Sequence, residues 1–335
     1  MTFSPTWFKS KTPQIALILI TIIWGASFLT VQYGLNFSTP MLFVGLRFAT
    51  ATLAVGLLSL KYLKDFNAYE LFAGFCIGAT IALGYGTQTI GLQSISSSES
   101  AFLTALYVPL VPLLMWLCFK CRPHLMTGLG VIFAFLGLVF LMGNGFGAIQ
   151  LNFGQLITLL GSVAIAFEII FISYFANKVN LRRVTVLQLA FASLLCFIIA
   201  PFNGETQLPT FEWPLLAVLC ALGIASAIIQ LVMNWAQRMV DPAQAAIIYA
   251  GEPVWAAVIG RVAGERLPAL ALIGGCLIVL GVIISEWRPQ FLKKKKEDIY
   301  AFLKIRYKIK KQPKLLFFKL RASLVIHRLI IIHPN

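Results

Sequence analysis

Residues 249–284 read YAGEPVWAAVIGRVAGERLPALALIGGCLIVLGVII, two apolar runs joined by a short Gly-Glu-Arg turn. A carboxylate and a proline, Glu252 and Pro253, lie deep inside the first run. An isolated charge at the middle of a bilayer costs at least about 2.5–3.5 kcal/mol, so an acid placed there beside a helix breaker needs a structural or functional reason. Extended to 243–262 and 269–286, the runs are long enough to cross the hydrocarbon of a membrane. The pattern points to an all-α polytopic membrane protein.

The remaining chain agrees. Of 335 residues, 59% are hydrophobic and 12% are charged, with a mean hydropathy of +0.86. The charged share is about half that of a soluble domain. The net charge of +15 belongs to one end. Residues 1–287 hold 13 Lys/Arg against 10 Asp/Glu, whereas residues 288–335 hold 14 against 2. Nucleic acid is therefore not an expected partner of the body. The tail is expected to lie against anionic lipid, where each Lys or Arg is worth about 1 kcal/mol, and residues 293–335 are expected to be dispensable for transport. The six cysteines form neither a disulfide framework nor a zinc site, since Cys118 and Cys121 have no second pair beside them.

The opening stretch has an echo. At an offset of 144 residues Pro109 falls on Pro253, Gln93 on Gln237, Ala101 on Ala245, Arg122 on Arg266 and Gly130 on Gly274. Upstream, at an offset of 141, Tyr33 falls on Tyr174 and Asn36 on Asn177. Duplicated halves are a signature of secondary transporters. Apolar runs at 15–34, 41–60, 70–91, 99–119 and 126–143 are matched by runs at 153–175, 185–202, 213–233, 243–262 and 269–286. The expected layout is ten transmembrane helices as two inverted five-helix repeats, residues 15–145 and 150–287. A cytoplasmic N-terminus over 1–14 and a basic cytoplasmic tail over 288–335 flank them. Lys and Arg fall almost entirely in alternate loops, which predicts both termini on the cytoplasmic side of an inner membrane.

With WGASF at 24–28, YVPLVPLL at 107–114, and the GEPVWAAVIG, GERL and GGCLIVLGVII blocks in order near the end, the chain resembles the EamA-domain branch of the drug/metabolite transporter superfamily. The likeness spans about residues 13–287. In the first half Lys120-Cys121 stands where the family commonly has Gly-Glu. The resemblance implies a ten-helix carrier of amino acids, other metabolites or drugs, often an exporter. It also implies a cavity lined by helices one, three, four, six, eight and nine.

The candidate site residues follow. Glu252 reads either as a proton-coupling carboxylate or substrate anchor, or as a structural partner for backbone freed at the Pro253 kink. Glu168 has an uncharged counterpart, Ser27, and suits recognition of an asymmetric solute. Arg47 lies nearer the outer end of its helix and reads either as an anchor whose long side chain snorkels or as a substrate-binding or coupling residue. Trp24, Ser27, Tyr85, Gln88, Thr104, Tyr107, Gln230, Asn234, Trp235, Tyr249 and Trp255 complete the polar and aromatic set of the lining helices. Trp24 and Tyr249 are the preferred aromatic walls. No intramembrane His, HExxH, GxGxxG or P-loop occurs, so no cofactor and no ATP hydrolysis are expected. A small-molecule substrate carried by alternating access is the reading. The rivals are an integral-membrane enzyme acting on lipid-linked substrates, and a channel or receptor.

Overall fold

Long apolar runs leave their backbone groups no water to bond, so each closes its own hydrogen bonds as a helix. The structure, a computed structural model, describes residues 5–64, 66–120, 125–141, 151–266 and 268–286. Among these, twelve α-helices occur: α1 (Pro5–Gly34), α2 (Pro40–Ser59), α3 (Ala68–Gly91), α4 (Ser97–Thr104), α5 (Tyr107–Phe119), α6 (Leu125–Leu141), α7 (Phe153–Phe175), α8 (Leu181–Ile199), α9 (Trp213–Ala236), α10 (Pro242–Tyr249), α11 (Glu252–Val262) and α12 (Ala269–Glu286). Eight helical stretches among the described residues are long and apolar enough to cross a membrane, with α4–α5 and α10–α11 each counting as one. Helices α6 and α12, of 17 and 18 residues, pack on each other. Cys121, Arg122 and the basic tail lie outside the described residues.

Two of the expected continuous helices are each broken in two. The reason is local. Pro109 and Pro253 have no N–H to return to the carbonyls of Ala105 and Tyr249, four residues back. The chain tightens there instead. Val108 N–H bonds the Ala105 carbonyl at 3.0 Å, and Gly251 N–H bonds that of Ile248 at 3.2 Å. The breaks, at residues 105–106 and 250–251, stand 145 residues apart.

Contacts between the halves come in exchanged pairs. Helix α3 packs on α7 and α8, and α9 packs on α1 and α2; α4 meets α11 where α10 meets α5; α1 meets α11 where α7 meets α5. Small residues allow the close crossings. A Cβ added to Gly25 of α1 would stand 2.7 Å from Cβ of Trp255 and 2.8 Å from the carbonyl oxygen of Glu252, so only glycine brings α1 this near the break. A Cβ on Gly78 would stand 2.6 Å from the carbonyl oxygen of Gln188, which ties α3 equally closely to α8.

Carboxylates fasten the helix ends across the halves. Glu205 accepts from the Met41 and Leu42 N–H groups at the start of α2, at 3.1 and 2.9 Å. Glu70 accepts from Asn180 N–H at 3.0 Å and pairs with Arg183 at 3.0 Å, at the start of α8. Glu265, in the turn after α11, takes both N–H groups and both hydroxyls of Ser97 and Ser98 at the start of α4, at 2.5–3.3 Å. Partial burial works against its charge, but these donors outweigh it and hold the Glu265 carboxyl below the usual carboxylate range.

A group whose folded pKa is depressed stabilises above its unfolded pKa, about 4.3, and loses that contribution as pH falls through the folded value. The contribution of Glu265 to thermal stability is therefore expected to be constant above about pH 5 and to be lost below about pH 4. Removing a helix cap costs about 0.5–2 kcal/mol, so Glu265→Gln should lower the melting temperature at neutral pH and flatten the acid limb. An unchanged acid limb in that variant would assign it to other groups.

Candidate substrate site

The two helix breaks meet in the interior, through α4 on α11 and α10 on α5. Glu252 is the first residue of α11 and Tyr107 the first of α5. A half-helix N-terminus carries partial positive charge, which suits a carboxylate in its first turn. The Tyr107 hydroxyl donates to Glu252 Oε2 at 3.1 Å. Over this pair lies Trp24, brought in by Gly25. Its ring stacks on Tyr85 (6.1 Å between centroids, 9° between planes) and on Tyr107 (6.5 Å, 10°), and meets Tyr249 edge-on at 5.7 Å. The Tyr249 hydroxyl accepts from Gln237 Nε2 at 2.9 Å, and Gln237 Oε1 accepts from the Ser173 hydroxyl at 2.7 Å.

A second acid stands in α7. Glu168 Oε1 accepts from Gln230 Nε2 at 2.8 Å; Gln230 Oε1 accepts from Gln188 Nε2 at 2.6 Å; Gln188 Oε1 accepts from Asn234 Nδ2 at 3.2 Å. On the other side Gln88 Nε2 donates to the Thr104 hydroxyl at 3.0 Å, at the end of α4. Ser27 is buried but spends its hydroxyl on its own helix, the Trp24 carbonyl, at 2.6 Å. Apart from the half-buried Ser173, none of these residues is more than 5% exposed, so the constellation is closed off from the bundle surface. Three polar atoms here have no hydrogen-bond partner among the described residues: Glu252 Oε1, Glu168 Oε2 and Trp24 Nε1. Buried polar groups are normally paired.

A model of the EamA-like transporter family matches residues 12–143 and again residues 152–287. The chain belongs to that family. It is 32% identical to an uncharacterized transporter of Archaeoglobus fulgidus over 84% of this chain and 87% of the relative. It is also 26% identical to the uncharacterized inner membrane transporter YedA of Escherichia coli K12, over 83% and 92% respectively. A solved crystal structure superposes with a TM-score of 0.62 at 19% identity, covering 82% of this chain and 96% of its own. That likeness speaks to the fold alone.

Within the EamA repeats, most of the sequence-derived set comes together: Trp24, Tyr85, Tyr107, Tyr249 and Glu252 around one break, with Glu168, Gln230 and Asn234 in the adjoining chain of amides. Three expectations need correction. Arg47 does not snorkel. It is 2% exposed, donates through Nε to the Ser226 hydroxyl at 2.7 Å, and faces the rings of Phe48 and Tyr85 at 5.5 and 5.4 Å. Ser226 and the two rings offer its head better partners than a distant interface. Trp235 is 36% exposed and lines a surface cleft with Leu58 and Arg182. Trp255 packs its Cβ against Gly25, outside the ring cluster.

The sequence reading missed Gln188, Gln237 and Ser226. Gln188 belongs to α8, the seventh of the ten expected spans, which was not among the lining helices. An amide in the middle of an apolar span was the available signal, because such a group must find a partner on another helix.

Proposed function

We propose that this EamA-family transporter is a secondary carrier that exports small metabolites or drug-like solutes by alternating access. Its ten helices would span as two inverted five-helix repeats, with both termini cytoplasmic. One observation carries the reading: two matched helix breaks, one from each half, meet around a buried acid and a cluster of rings. Discontinuous helices meeting at the repeat interface are how carriers build midplane sites. The exchanged contacts between halves support the repeat, and the closed constellation fits an occluded state between two open ones. The buried acids supply groups able to hold a proton, so we read transport as proton-coupled.

The test is purified protein in liposomes loaded with a pH-sensitive dye. Amino acids, amines and drug-like solutes are added singly across an imposed pH gradient. Saturable, solute-dependent proton movement is expected, and everted vesicles should accumulate the cargo. Unsaturable passage at channel rates would overturn the carrier reading, and catalytic release of product from lipid-linked substrates would replace it.

The topology has its own check. In a variant lacking the native cysteines, single cysteines at Asn36 and Gln207, both exposed, should react with an impermeant maleimide added outside cells. One at Asn177, also exposed, should react only after lysis. The reverse pattern would invert the model.

A further inference from the structure

We propose that the closed constellation takes an organic monocation, a protonated amine without a carboxylate. Its charge would sit against Glu252 and Glu168, among the rings of Trp24, Tyr85, Tyr107 and Tyr249. The proposal rests on the carrier reading above and specifies its cargo.

Three observations carry it. The first is the ring cluster, two stacked contacts and one edge contact around Trp24, fully buried. Aromatic faces attract cations, most strongly where water is excluded. The second is the unpaired oxygens, Glu252 Oε1 and Glu168 Oε2, on side chains with 0% exposure. A buried carboxylate oxygen calls for a donor, and an ammonium group brings several. The third is charge balance. The groups facing the cluster are Glu252 on α11, Glu168 on α7, Arg47 on α2, and the tyrosines on α3, α5 and α10; α1, α4 and α9 bring only neutral Trp24, Thr104, Gln230 and Asn234. Two acids against one guanidinium leave one negative charge in a medium that tolerates none. A proton or a monocation closes that balance. A zwitterion does not, because it brings no net charge, and an anion makes it worse.

Proton and cargo therefore compete for the same place. Wild-type protein in lipid nanodiscs is titrated with phenethylamine, with its neutral isostere phenethyl alcohol, with 3-phenylpropanoate, and with phenylalanine, at several pH values. Phenethylamine should bind more than about tenfold tighter than any of the other three. Its affinity should rise about tenfold per pH unit while one proton is displaced. Glu168→Gln and Glu252→Gln should each weaken amine binding and reduce that slope, and Glu168→Asp should recover part of it. Phenylalanine or 3-phenylpropanoate binding as well as the amine, no binding of the amine by the wild type, or a flat pH profile would each overturn the proposal. The wild-type profile decides even if a variant fails to fold. Flux of labelled phenethylamine in proteoliposomes separates the two readings. Binding without flux would sink the carrier and keep the ligand class, whereas saturable flux of an anion would do the opposite.

Discussion

Glu252→Gln is expected to reduce pH-gradient-driven solute flux to the level of protein-free vesicles, while the protein remains folded in the membrane. The amide keeps the shape of the side chain and still accepts from the Tyr107 hydroxyl, now 3.1 Å from Glu252 Oε2. It cannot exchange a proton. The groups that face Glu252 are Tyr107, Tyr85 and Glu168, with Arg47 beyond Tyr85. None but Glu168 is a second carboxylate, so little else can take over the proton. Flux and the amount of membrane-inserted protein are measured together. A Gln variant that transports normally at every pH would return Glu252 to a structural role beside Pro253. Tyr107→Phe is the companion measurement: it removes the donor but leaves the acid, so coupling should persist with a shifted pH profile.

Trp24→Ala should be the most damaging single change to the bundle. The ring is fully buried against three tyrosines drawn from α3, α5 and α10. Truncating a buried aromatic side chain costs about 3–5 kcal/mol through lost contacts and the cavity left behind. Thermal unfolding in detergent should record that loss, and solute binding should fall with it. Trp116→Ala and Trp213→Ala are the controls. These rings are 50% and 84% exposed on the bundle surface, and each should change stability by no more than about 0.5 kcal/mol. Trp24→Phe keeps a ring in place and should recover much of the stability while still weakening binding, which separates packing from recognition. Equal losses at Trp24, Trp116 and Trp213 would remove Trp24 from the site.

Much of this could be read along the chain. Composition alone points to a membrane, because 59% hydrophobic residues come with a charged share of 12%, about half that of a soluble domain. The 144-residue echo announces the repeat that the family model matches twice. Pro109 and Pro253 mark where a break can fall, although both runs read as continuous and Pro112 sits inside α5 without breaking it. Glu252 is conspicuous for a local reason: a charge amid apolar residues demands a partner wherever the helix lies.

The partners themselves are another matter. Tyr107 and Glu252 are 145 residues apart, and Gln188 and Gln230 are 42 apart. A helix apolar on every side gives no sign of which face meets protein and which meets lipid. The rotation of α2 that buries Arg47 against Ser226, and the approach of α8 that brings Gln188 to Gln230, follow from how the helices pack. That packing depends on where small residues such as Gly25 and Gly78 permit close crossings, and on which polar groups can then reach each other. Residue types and spacing therefore specify the helical runs and the unusual charges. The site exists only where helices from both halves converge, because each of its groups is satisfied by a neighbour that the sequence keeps far away.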